Sequence, residues 1–352
     1  MDALECPTLN PDHIIATAAT SPVCAFPFDK FMSVYTTVEI PQLELFLTRY
    51  ELGKLSDFQP IAAGITNTNY YLDTELDRFV LTLYEHHSNA ELDYMLGLQQ
   101  HLANQAVRCS EPVKDRYNKF YSCLNQRPAA IIHRLQGEVQ TAPTSHHCTL
   151  IGAELARFHQ AGRDYTGQRA NPRGIEWILA ACDRLGSSLE AGDLLDISAT
   201  LDACRQFDLV QLPRGAIHAD LFHDNALFVD GELGGIFDFD YACNDSFVFD
   251  IAVLLNDWCI NSEGLLVATR VSSMLDAYQQ QRQLETIELE ALPLMLRLSA
   301  LRFWLSRLYD KHFPLSGELT FIKSPDAFRR IHQLRSAQVK AVNALLLPHH
   351  MR

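Results

Sequence analysis

The segment His218-Ala219-Asp220-Leu221-Phe222-His223-Asp224-Asn225, answered by Ile236-Phe237-Asp238-Phe239-Asp240, constrains this chain more than any other. It reads H-x-D-x-x-x-x-N, and thirteen residues after the Asn an Asp leaves an apolar strand. A fold that carries it must draw two carboxylates and a carboxamide from one short stretch. That trio suits phosphoryl transfer, which asks little covalent chemistry of a protein. It needs a carboxylate to orient and deprotonate an attacking hydroxyl, and oxygen ligands to hold Mg2+ on nucleotide phosphates. By spacing, Asp220 is the expected catalytic base, and Asn225 and Asp238 are the expected metal ligands. A structural metal site at His218 and His223 is the competing reading. Their five-residue spacing is not the i, i+4 arrangement of a helical zinc site, and no Cys pair lies nearby to complete one. His218 is expected to bond loop backbone rather than to handle protons.

The order of these groups matches the catalytic loop and metal-binding Asp of protein kinases, except that Asp240 stands where those enzymes have Gly. The H-x-D-L-x-x-x-N and I-x-D-F-D patterns resemble instead the aminoglycoside phosphotransferase and choline kinase superfamily. The resemblance implies an α+β, bilobal, protein-kinase-like fold, with a small antiparallel-sheet N-terminal lobe and a mainly helical C-terminal lobe. It also implies phosphorylation of a small-molecule alcohol, with ATP and Mg2+ as cofactors.

The 352 residues allow two domains or lobes. A net charge of −14 argues against a nucleic-acid partner, which would need a basic stripe, and it leaves local cations and Mg2+ to hold ATP. Nine scattered Cys, odd in number and without C-x-x-C, point to a reduced, cytoplasmic compartment. No run approaches the ~20 apolar residues of a membrane span. Met1-Asp2-Ala3-Leu4-Glu5 lacks the positive start of a signal peptide.

Residues 1–31 hold four of the fifteen prolines and show no period, so a disordered or loosely attached extension is expected there, with Met32 as a natural start. The N-terminal nucleotide-binding lobe is expected over 32–136 and the C-terminal catalytic and substrate lobe over 137–352, with Gly137 at the crossing. In the first lobe a helix is expected from Pro41 to Tyr50 and strands at 58–63, 69–74 and 79–85. A helix from Asn89 to Ala106 and strands at 118–124 and 129–135 complete it. Helices are expected at 146–161, 174–190, 193–207, 246–259, 263–282, 286–312 and 325–346 in the second.

Ala63-Gly64-Ile65-Thr66-Asn67-Thr68-Asn69 joins two of those strands, and a hairpin with Gly and two Asn can bring N–H groups close to phosphate. The superfamily resemblance makes Gly64, Asn67 and Asn69 candidates for the nucleotide. On the strand Phe79 to Glu85, where relatives carry Lys or Arg, this chain has Thr82, a candidate for a hydroxyl-mediated contact. Glu91 is the nearest acid on the following helix, and a helix-start Glu favoured by the macrodipole is the simpler reading.

Leu301-Arg302-Phe303-Trp304-Leu305-Ser306-Arg307 puts two guanidinium groups into a helix that is apolar nearly all round, so each must find an anion or reach solvent. Five residues apart, they point about 140° away from each other at 3.6 residues per turn, so one of them is expected to meet a small substrate. Together with Ser33-Val34-Tyr35-Thr36, the Gly64 to Asn69 turn and the Thr82 strand, this helix resembles bacterial homoserine kinases of the aminoglycoside phosphotransferase-like type, over about residues 32–346. The resemblance implies homoserine O-phosphorylation on the way to threonine. Arg302 or Arg307 would hold the acceptor carboxylate, Asp240 or Asp257 the ammonium, and Asp250 would brace the catalytic loop. Choline, methylthioribose, hydroxylysine or an aminoglycoside are the alternative acceptors, and a regulatory pseudokinase is the rival class.

Overall fold

The computed structural model describes residues 36–61, 66–314 and 323–350. The expected extension at 1–31, the Ser33 to Tyr35 motif and Gly64 lie outside the described residues. The chain divides into two compact units, one within Met1–His86 and Val113–Ile131, the other within His87–Pro112 and Ile132–Arg352.

In the first unit, α1 (Ile40–Leu47) starts with Pro in its first turn and a capping box between Glu39 and Gln42, and it buries Leu43, Phe46 and Leu47. Five strands follow: β1 (Leu55–Pro60), β2 (Thr68–Thr74), β3 (Arg78–Leu83), β4 (Tyr121–Leu124) and β5 (Arg127–His133). They form one sheet in the order β1-β2-β3-β5-β4. The pairs β1/β2, β2/β3 and β4/β5 are antiparallel. Period-two alternation sends Thr68, Tyr70 and Leu72 of β2 inward. Leu72, Phe79, Leu81 and Ile131 pack there with Leu43 and Phe46 of α1. Asn69 faces Thr82 across the β2/β3 ladder.

The second unit begins with α2 (Asn89–Asn104), started by a reciprocal Ser88/Glu91 capping box. The sequence places this helix with the first lobe; it groups with the second unit, where Glu91 pairs with Arg169 at 2.8 Å. The helices α3 (Ser145–Arg163), α4 (Ile175–Leu185) and α5 (Ala191–Gln206) follow. Four short strands come next: β6 (Arg214–Ile217), β7 (Ala226–Val229), β8 (Glu232–Ile236) and β9 (Cys243–Ser246). The unit closes with α6 (Phe247–Trp258), α7 (Ala268–Gln281), α8 (Thr286–His312), α9 (Asp326–Ala337) and α10 (Val339–His350).

Nearly every residue of helix α6 is buried, Asp250 and Asn256 included, as expected of a central helix. Helix α7 starts five residues later than the sequence periodicity predicts. The Asn261 side chain accepts the main-chain N–H groups of Glu263 and Leu265 at 3.0 Å each and holds a turn there. The single helix expected over 325–346 is two helices, separated at Gln338. Among the described residues, no helix is long and apolar enough to cross a membrane.

Two antiparallel ladders, β6/β9 and β7/β8, are the part of this unit that positions the site. At the β7/β8 turn Asp230 and Gly231 both have positive φ, 51° and 85°, which is the Asp-Gly hairpin chemistry.

Candidate active site

The thirteen-residue spacing of the motif is the length of the β7/β8 hairpin. Ala226 stands opposite Ile236, and the Phe237 N–H donates to the Asn225 carbonyl at 3.0 Å. Asn225, just before β7, and Asp238, just after β8, therefore emerge side by side. The loop between β6 and β7 carries Asp220. Asp250, in the first turn of α6, accepts the N–H groups of His218 and Ala219 at 2.8 Å each. The His218 imidazole bonds the Phe237 carbonyl through Nε2 at 3.0 Å, a backbone partner rather than a reacting group. Trp258 Nε1 donates to the Leu221 carbonyl at 3.0 Å and pins the other side of the loop. Ala219 and Asp238 both lie in the left-handed region, at φ 64° and 65°. Such backbone costs about 1–3 kcal/mol at a non-glycine residue and persists where the surroundings impose it.

Burial pushes Asp220 up to about 6, with Arg302 pulling it down and Asp224 adding to the rise. Burial also holds Asp238 well above the ordinary carboxylate range, reinforced by the charges of Asp240 and Asp220. Asn225 donates its Nδ2 to the Asp220 carbonyl at 2.8 Å, which leaves its Oδ1 as the acceptor end. An Asn oxygen beside crowded carboxylates is the hard, all-oxygen donor set that a small divalent cation favours, and the cation would relieve their repulsion. Among the described residues, no three His, Cys, Asp or Glu side chains converge as a self-sufficient metal site.

The structure brings Asp220, Asn225, Asp238, Asp240, Arg302 and Arg307 into one region of the second unit. Arg302 Nη1 lies 3.1 Å from Asp220 Oδ1. Arg307, half-buried, feels the charges of Asp257, Asp220 and Asp224. Asp240 adds its charge to Asp238 and lies 4.0 Å from His87 Nε2. Asp257 spends Oδ2 on the main-chain N–H and the Nδ1 of His223, both at 2.7 Å. That hydrogen bond raises the His223 pKa above its ordinary value.

Two contributors escape a reading of the sequence. Arg169 donates to the carbonyls of Asp240 and Ala242 at 2.7 and 2.9 Å and to Glu91 at 2.8 Å, so it ties the segment after Asp238 to α2. Burial would raise Glu91, but hydrogen bonds from Ser88 and Arg169 bring it down to about 2. Tyr241 lies under the Arg302 guanidinium, 4.7 Å from its ring centre. A carbonyl clamp leaves no residue-type signature, although the i, i+3 capping box marks Glu91 as ordered.

In the first unit, Thr82 donates its hydroxyl to Asn69 Oδ1 at 2.8 Å, and Asn69 Nδ2 reaches the Asn67 carbonyl at 3.4 Å. Of the candidates for the nucleotide, Asn67, Asn69 and Thr82 thus form one cluster. In the same unit Glu85 accepts from the Thr68 hydroxyl at 2.8 Å and pairs with Arg127 at 2.9 Å.

The Asp220 loop and the hairpin-borne Asp238 suit phosphoryl transfer, and comparison with known proteins shows a phosphotransferase. Residues 57–284 match the phosphotransferase enzyme family. The chain is 46% identical over 300 residues to a homoserine kinase of Methylobacillus flagellatus, covering 85% of this chain and 94% of that one. It is 39% identical over 300 residues to a homoserine kinase of Neisseria meningitidis serogroup B, covering 85% and 98%. The chain therefore belongs to the phosphotransferase enzyme family, within its homoserine kinase branch. Among solved structures, a microcompartment-associated aminopropanol kinase matches with a TM-score of 0.65 at 16% identity, covering 87% of this chain and 99% of that one. An amicoumacin kinase in complex with AMP-PNP and Ca2+ matches with a TM-score of 0.64 at 16% identity, covering 87% and 94%. These two share the α+β, protein-kinase-like fold.

Proposed function

We propose that this enzyme transfers the γ-phosphoryl group of ATP to the hydroxyl of L-homoserine, giving O-phospho-L-homoserine and ADP, a step toward threonine. What supports it is the company of the Asp220 carboxylate: Asn225 and Asp238, which would hold a divalent cation, on one side, and Arg302 and Arg307 of α8 on the other. The first group set serves a nucleotide, and the second suits an acceptor that carries a carboxylate. An aminoglycoside or choline carries no carboxylate to meet that guanidinium pair.

Asp220 orients the homoserine hydroxyl and takes its proton as the oxygen attacks the γ-phosphorus. Asn225 and Asp238 would hold Mg2+, which would supply charge neutralisation for the transferred phosphoryl group. Asn67, Asn69 and Thr82 supply polar groups for the nucleotide phosphates. Asp240 accepts the acceptor's ammonium, because Asp257 is already engaged by His223. The fixed loop supplies the orientation on which such transfers depend, since misplacing a reacting group by ~1 Å can cost about a hundredfold.

A panel of alcohols, assayed by coupled ADP release with Mg-ATP, tests the reading. Homoserine is expected to give the highest kcat/KM, ahead of choline, methylthioribose, hydroxylysine and aminoglycosides. Turnover with one of those and none with homoserine would overturn it.

A further inference from the structure

Arg302 and Arg307 stand five residues apart on α8, but their partners differ. Arg302 is 2% exposed, and its guanidinium lies 3.8 Å from the centre of the Phe303 ring and 4.7 Å from that of Tyr241. Its Nη1 is 3.1 Å from Asp220 Oδ1. Withdrawing that cation to greet a substrate would leave the partly buried Asp220 beside Asp224 and Asp238 without its counter-ion, an unfavourable exchange. Arg307 has far looser ties. Its Nη1 makes one long hydrogen bond, 3.4 Å, to the Ser324 carbonyl, and its guanidinium lies 4.5 Å from the centre of the Phe328 ring. Among the described residues it has no carboxylate partner within ion-pair distance. A guanidinium offers five N–H donors, so most of its capacity is unused among the described residues. The acids around it are already held: Asp224 by Lys323 at 2.6 Å and Asp257 by His223 at 2.7 Å.

We infer that the two arginines divide the work: Arg302 is a positioning residue that fixes Asp220, and Arg307 binds the carboxylate of the acceptor. With Oδ1 of Asp220 held by Arg302, Oδ2 is the oxygen that faces the hydroxyl. Arg307 then selects an amino-acid alcohol over a plain amino alcohol. This deepens the homoserine reading of the same site and rests on it.

The test compares L-homoserine with 3-amino-1-propanol, which keeps the hydroxyl and the ammonium but lacks the carboxylate. ADP release is measured for the wild type, Arg307→Met, Arg302→Met and Arg302→Lys. Arg307→Met is expected to raise the KM for homoserine about tenfold to a hundredfold, the worth of a charge-assisted hydrogen bond. Its kcat should stay within a few fold, with 3-amino-1-propanol unaffected. Arg302→Met is expected to lower kcat on the order of a hundredfold for both acceptors with little change in KM. Arg302→Lys should restore part of that rate, because an ammonium can still hold Oδ1. If Arg302→Met does not fold, Arg302→Lys carries the comparison, its folding checked by stabilisation with Mg-ADP. A homoserine-specific KM defect in Arg302→Lys, or a kcat loss on both acceptors in Arg307→Met, would overturn the division. A wild type inactive on homoserine but active on another alcohol would instead remove the reading beneath it.

Discussion

The carboxylate of Asp250 takes the main-chain N–H of His218 at 2.8 Å, and its second oxygen takes that of Ala219 at the same distance. The first turn of α6 thereby holds the left-handed Ala219 in place, one residue before Asp220. His159 bonds the same carboxylate at 3.2 Å from the buried side. Burial alone would raise Asp250, yet the hydrogen bonds from His159 and from the His218 backbone keep it below the ordinary value.

Replacing Asp250 with Ala is expected to cost about 3–5 kcal/mol of stability, as for a buried charged partner removed from its network. Asp250→Asn keeps the shape but loses acceptor capacity, and should lower kcat on the order of a hundredfold through a misplaced Asp220. Thermal melts together with ADP-release kinetics check both. An Asp250→Asn enzyme with wild-type melting and wild-type kcat would show that the brace does not matter.

Asp220 must be ionised to take a proton, and burial pushes it up to about 6 against the pull of Arg302. The rate is expected to be level above about 6 and to fall about tenfold per pH unit below it. A bound divalent cation would shift this limb toward lower pH, never higher. Asp220→Asn should lower kcat by about 10²–10⁴ while nucleotide binding survives. A pH–rate profile for the wild type, with nucleotide titration of the variant, decides both points.

His332 is buried against Thr200, and burial, aided by Arg297, lowers its pKa to about 4. The folded value lies below the unfolded 6.5, so the unfolded chain takes up the proton first. Stability is therefore fully present above pH 6.5 and is lost as the pH falls toward 4. At about 1.4 kcal/mol per pH unit, that interval is worth about 3 kcal/mol. Denaturant unfolding at a series of pH values should show the decline. In His332→Gln the slope between 6.5 and 4 should be shallower; an unchanged slope would assign the decline to other groups.

Gly137 has φ 114°, and a Cβ built on it would stand 2.5 Å from the Phe228 carbonyl oxygen. Gly137→Ala combines backbone strain with a main-chain clash and is expected to destabilise by about 1–3 kcal/mol. Chemical denaturation of the two proteins measures it, and equal midpoints would contradict the contact.

The core of the site was legible because Asp220, Asn225 and Asp238 sit within one stretch, where the hairpin length fixes their spacing. The ladder that frames them was not, because β6 and β9 are four residues each and pair across an intervening hairpin, too short to show a period. The Asp230-Gly231 turn was the available signal for β7/β8. Arg302 was visible as a cation in an apolar helix, but which anion it meets is a property of tertiary packing. Arg169 acts on carbonyls, which sequence does not mark. The break between α9 and α10 carries neither Gly nor Pro, so helical periodicity ran straight through it.

Transfer of phosphate to the homoserine hydroxyl at Asp220 is seen most directly by phosphorus NMR of the reaction with Mg-ATP and L-homoserine. A phosphomonoester signal coupled to the side-chain methylene of homoserine is expected, appearing with ADP in equal amount and at least about a hundredfold more slowly with Asp220→Asn. Inorganic phosphate alone as the product, or an undiminished monoester signal with Asp220→Asn, would contradict it.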